Sequence, residues 1–107
     1  MRDHERRKLH KLARHLHAEV PLTVPLSVRV MNIPRRLKLH GYTTFDGERL
    51  VIRIAASSSY STAVDTLVHE WGHARVICAG YEHGDEWGKQ QAAAYRAAES
   101  FDPKAKK

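Results

Sequence analysis

The chain has 107 residues, enough for one domain with a single modest core, and 42% of them are hydrophobic. No apolar run approaches the ~20 residues of a membrane span, which excludes a spanning helix, and a single cysteine, Cys78, excludes an intrachain disulfide and any zinc cluster built of cysteines. The formal net charge is +6, concentrated in Arg2, Arg6, Arg7, Lys8, Lys11 and Arg14 at one end and Lys104, Lys106 and Lys107 at the other.

That charge is compatible with a nucleic-acid partner bound weakly through its phosphates. The plainer reading is a solvated helix face and a disordered tail over residues 103–107. The basic N-terminus lacks a following apolar block and so does not read as a secretory signal. With one cysteine, the natural compartment is a reducing cytoplasm. No repeat or linker divides residues 1–107, which are read as one domain.

Residues 3–18 form an expected amphipathic helix, because Leu9, Leu12, Ala13, Leu16 and Val20 recur at three- and four-residue steps. Pro21 and Pro25 forbid helix and make residues 21–25 an extended connector. Residues 26–31 alternate apolar and polar side chains, as a half-buried strand does. Pro34 marks a turn. A second alternating run over 37–42 reads as a strand, Asp46-Gly47 as a hairpin turn, and 49–55 as a third strand with Leu50, Ile52 and Ile54 on one face. Ser57 to Ser61 offer N-caps for a helix over 62–79 that stops at Gly80. A last helix is expected over 85–100. The fold class is therefore α+β: an N-terminal helix, a three-stranded sheet taken as antiparallel, a helix carrying the motif described next, and a C-terminal helix.

The motif is His69-Glu70-Trp71-Gly72-His73. On a helix, residues four apart face the same way, so both imidazoles can reach one zinc ion. Glu70, one step round, can address water at the metal without being a ligand. Zinc suits these residue types because it lowers the pKa of bound water to about 7 and polarises a carbonyl. Glutamate can take the water's proton and pass it to the leaving amine. A helix whose polar face merely carries two histidines is the alternative.

A catalytic zinc needs a third protein ligand. Val76 and Ala79 stand where a longer pattern would have glycine and histidine, which argues against the metzincin class. His83, in the turn between Gly80 and Gly84, is the preferred third ligand, with Glu82 and Glu86 as carboxylate alternatives. His4, His10, His15, His17 and His40 are read as solvated, Trp71 and Trp87 as core, and Cys78 as a small buried hydrophobe. Tyr60, Tyr81 and Tyr95 are candidates for stabilising an oxyanion, with nothing in the sequence to choose among them.

The stretch from Val64 to Trp87, containing Asp65-Thr66-Leu67-Val68-His69-Glu70-Trp71-Gly72-His73-Ala74 and then His83-Gly84-x-x-Trp87, resembles the SprT-like zinc peptidases, the group that includes the Spartan proteases. The likeness extends over residues 37–98, and the N-terminal helix matches in general type. The resemblance implies a minimal zincin-like fold in which a sheet backs the active-site helix. It implies Zn²⁺ held by His69, His73 and His83, with Glu70 as general base, and a protein or peptide substrate. Well-known members cut proteins crosslinked to DNA. This chain has one cysteine and no separate zinc ribbon, so the resemblance suggests a compact bacterial or bacteriophage peptidase. The competing function is a basic nucleic-acid-binding or phage interaction module with a zinc site and no turnover.

Overall fold

The computed structural model describes residues 1–79 and 85–101, with only the backbone described at 78, 79 and 85–87. The elements in chain order are α1 (Asp3–Glu19), β1 (Leu26–Met31), a 3-10 turn (Arg35–Leu37), β2 (Gly41–Phe45), β3 (Leu50–Ala55), α2 (Tyr60–Ala79) and α3 (Asp85–Glu99). The fold is α+β, as the periodicities imply.

The sheet is mixed, which corrects the antiparallel expectation. Its order is β1-β3-β2, with β1 parallel to β3 and β2 antiparallel to it. The hairpin at Asp46-Gly47 accounts for the antiparallel pair: Gly47 takes φ +97°, a conformation glycine adopts without strain. Asp46 Oδ1 accepts the backbone N–H groups of Glu48 and Arg49 at 2.9 and 2.8 Å. β3 is the most apolar strand, and Leu50, Ile52 and Ile54 are completely buried. Burial on that scale favours the central position, leaving β1 and β2 as the two edges.

A second correction concerns residues 37–42. Leu37 ends the 3-10 turn, Lys38 adopts a left-handed conformation at φ 52°, and β2 begins only at Gly41. A positive φ at Lys38 interrupts the extended chain, so the Leu37/Leu39 alternation is not a buried strand face. Both leucines are 47% exposed.

The helices close over one face of the sheet. α1 buries Leu9, Leu12, Ala13 and Leu16, the stripe expected from its spacing. Ser59 Oγ accepts the Thr62 N–H at 3.2 Å and caps the start of α2. α2 lies against β2 and β3 and sends Leu67, Val68, Trp71 and Ala74 into the core. Trp71 is fully buried, and its indole N–H donates to the Val20 carbonyl at 2.9 Å. That bond satisfies a polar group whose burial without a partner would cost about 1–3 kcal/mol. The core role expected for Trp71 is what the structure shows.

Arg75 carries the third side of α2. Its guanidinium donates to Gln90 Oε1 in α3 at 2.8 Å and to the Pro21 carbonyl in the connector. His15 is a tie between helices rather than a solvated side chain: its Nε2 donates to the Ala97 carbonyl of α3 at 2.9 Å. No described helix is long and apolar enough to cross a membrane.

Candidate metal centre

Helical geometry fixes the two histidines. Four residues apart on α2, the rings of His69 and His73 have centroids 4.6 Å apart and meet edge to face at 76°. Their Nε2 atoms stand 3.0 Å from each other. Two nitrogens bound to one tetrahedral zinc at ~2.0–2.1 Å are ~3.3 Å apart, so a small rotation of either ring accommodates a shared ion. Glu70 adds a carboxylate: one oxygen and the two ring nitrogens all lie within 4.8 Å of one another. His69 is exposed, while Glu70 and His73 are half-buried. The group therefore opens to solvent on one side and rests on protein on the other.

The donor set suits a borderline cation. Two imidazoles and a carboxylate are ordinary zinc donors, and no thiolate is described in the group. His69, Glu70 and His73 thus form a group that could hold a metal ion.

The protein side of the site is β2. Thr43 Oγ1 donates a hydrogen bond to Glu70 Oε1 at 2.8 Å. Register explains why Thr43, and not Thr44, makes it. Thr43 pairs with Ile52, and Thr44 with Val51, so Thr43 shares the face of completely buried Ile52 while Thr44 points the opposite way. Thr44 Oγ1 instead accepts a bond from the Arg53 guanidinium at 2.7 Å. Two residues before Thr43, Gly41 lies against Thr66, one helical turn before Glu70: a Cβ on Gly41 would meet Thr66 Cγ2 at 2.6 Å and the Arg53 carbonyl oxygen at 2.5 Å. The absence of a side chain there lets β2 come close enough for the Thr43–Glu70 bond.

On the α3 side, Gly72 inside the motif leaves room for Gln91. A Cβ there would stand 2.5 Å from Gln91 Oε1 and 3.1 Å from Gln91 Cα. The glycine of the motif is thus a helix-packing residue. Among the described residues, nothing hydrogen-bonds the buried amide of Gln91.

The structure brings together three of the four site residues read from the sequence, His69, Glu70 and His73. His83 and Glu82 lie outside the described residues, as do Tyr81 and the side chains of Glu86, Trp87 and Cys78. Tyr60 begins α2, nine residues before His69, which is roughly 13 Å along the helix axis. There burial, reinforced by the charge of Glu5, holds its phenol above the usual value, and the Lys8 ammonium sits 5.8 Å from its ring centroid. Tyr60 is too distant for an oxyanion role. Tyr95 is 41% exposed on α3.

Thr43 is the residue that sequence reasoning missed. A separate hollow of about 660 Å³ lies between α1 and β1, with His10, Arg14, His17, Val24 and Trp71 in its wall; none of His69, Glu70 and His73 lines it.

No family model matches the chain, and no curated protein or solved structure matches it.

Proposed function

We propose that this chain is a zinc-dependent endopeptidase of the SprT-like kind that its motif resembles. The observation supporting the reading is the His69–His73 pair, with Nε2 atoms 3.0 Å apart beside the Glu70 carboxylate, on a helix whose other face enters the core. His69 and His73, with His83 as the third ligand, would hold the ion. Zinc held there would supply Lewis acidity, polarising the carbonyl and lowering the pKa of water so that a hydroxide nucleophile is available near neutral pH. Glu70 takes a proton from the attacking water and hands it to the leaving amine nitrogen, so the peptide C–N bond breaks with release of a neutral amine. β2 is an edge strand; an extended substrate can add its backbone to the outer edge of such a strand, which brings a peptide bond past Glu70. Removal of zinc by a chelator should abolish cleavage of unfolded casein, and restored zinc should recover it. Cleavage that survives complete metal removal contradicts the proposal.

A second reading is a basic module that binds nucleic acid without turnover. It is favoured by α1, which turns Arg6, Arg7, Lys11 and Arg14 to solvent. The two readings are compatible in one molecule, since none of these four cations belongs to the His69–Glu70–His73 group. The proposed substrate is protein, and DNA is proposed as an electrostatic partner.

A further inference from the structure

We propose that Thr43 is a positioning residue for Glu70, fixing the carboxylate by one oxygen and leaving the other for proton transfer. The proposal rests on the general-base reading of Glu70 given above. In the 2.8 Å contact the Thr43 hydroxyl donates and Glu70 Oε1 accepts. Oε2 takes no part in this contact and is the oxygen assigned here to the water that attacks substrate.

Three features make Thr43 suited to the task. Bonds from a hydroxyl to a charged acceptor are roughly twice as strong as neutral ones, and both partners are half-buried, which limits competition from water. Thr43 is β-branched and sits on a strand, so its χ1 is stiff. The strand and helix also keep step. Two residues along β2 advance roughly 6.7 Å, and four residues along α2 advance ~6 Å, so the contact of Gly41 with Thr66 is followed by that of Thr43 with Glu70. Glu70 can otherwise rotate about three side-chain bonds; the contact selects one arrangement before substrate arrives. A base misplaced by a fraction of its reach loses much of its advantage while substrate binding is unaffected.

The test uses zinc-loaded protein, fluorescent unfolded casein, and the variants Thr43→Val, Thr43→Ser, Glu70→Gln and Thr43→Val/Glu70→Gln, with zinc content measured on each. Thr43→Val should keep its zinc and its KM within about 2-fold while kcat falls roughly 10- to 100-fold. Thr43→Ser, which restores the hydroxyl, should recover most of that loss. In the Glu70→Gln background Thr43→Val should cost nothing further, because the carboxylate it positions is gone. Crystal structures give a readout independent of activity: the Glu70 carboxylate should keep its place in Thr43→Ser and leave it in Thr43→Val. Thr43→Ala carries the same expectations should the valine variant misfold. An inactive Glu70→Gln alongside a fully active Thr43→Val overturns the positioning role and leaves the base role standing. Equal losses from Thr43→Val in both backgrounds overturn it too, since Thr43 would then act elsewhere. Parental cleavage by Glu70→Gln overturns the base role and the positioning role together.

Discussion

Gly41 stands so close to Thr66 that a Cβ on the glycine would lie 2.6 Å from the threonine methyl. On its other side the same Cβ would meet the Arg53 carbonyl oxygen at 2.5 Å, and that oxygen belongs to the central strand and cannot swing away. Gly41→Ala should therefore push β2 off α2. Overpacking of this kind costs about 1–3 kcal/mol, to be read as a lower urea midpoint. The displacement should also lengthen the Thr43–Glu70 contact and lower casein cleavage, with zinc content unchanged. A variant as stable and as active as the parent would show that the approach of strand to helix is not tight.

The glycines of α2 and α3 should respond oppositely to the same change. Alanine is favoured over glycine in a helix interior by about 1 kcal/mol. At Gly88 nothing lies within 4 Å of an added Cβ, so Gly88→Ala should stabilise by about 0.5–1 kcal/mol. At Gly72 the added methyl meets Gln91, including its Cα at 3.1 Å. The overpacking cost of about 1–3 kcal/mol should there exceed the propensity gain. Thermal unfolding of the two variants gives the signs directly; stabilisation by Gly72→Ala would mean that α3 is free to yield.

Acid should loosen the hairpin through Asp46. The backbone N–H groups of Glu48 and Arg49, which its carboxylate accepts, hold Asp46 below the usual carboxylate value. A carboxyl whose folded value is depressed stabilises above its unfolded value of about 3.9 and loses that contribution as pH falls through the folded value. Asp46→Asn should accordingly differ from the parent near neutral pH, and the difference should shrink below about pH 4. A gap constant with pH would assign the difference to shape and not to charge.

Four exposed cations on α1, Arg6, Arg7, Lys11 and Arg14, predict salt-sensitive DNA binding. Four phosphate contacts imply a fall of about 10²-fold in affinity between roughly 50 and 200 mM salt. Fluorescence anisotropy with a short labelled duplex measures this, and Arg7→Glu/Arg14→Glu should weaken binding at low salt. Affinity that does not change with salt would leave these side chains as a solvated face.

The long periodic segments were legible from sequence because their signals are local. α1, α2 and α3 repeat apolar residues at helical spacing, and β1 and β3 are bounded by proline and by the Asp46-Gly47 turn. The histidine pair was legible for the same reason: the i, i+4 spacing fixes it once the helix is known. β2 was misplaced because the alternation of Leu37 and Leu39 imitates a strand, while the left-handed Lys38 that breaks it leaves no mark in composition. The parallel pairing of β1 with β3 depends on which strand takes the centre, a competition settled by burial across the whole sheet. Thr43 and Thr44 are equivalent in sequence and become different only when the register with β3 turns one toward α2. The His15–Ala97 tie likewise needs two helices docked across 82 residues of chain.

Glu70 is proposed to act on a proton while His69 and His73 hold the metal, and one comparison separates these tasks. Zinc content and cleavage of unfolded casein are measured on the same preparations of parent, Glu70→Gln and His69→Ala. Proton transfer by a positioned side chain contributes roughly 10²–10⁴-fold. Glu70→Gln should therefore bind zinc as the parent does and lose at least about 10²-fold in kcat, while His69→Ala loses both metal and activity. A Glu70→Gln protein that retains its zinc and cleaves casein at the parental rate would contradict the account.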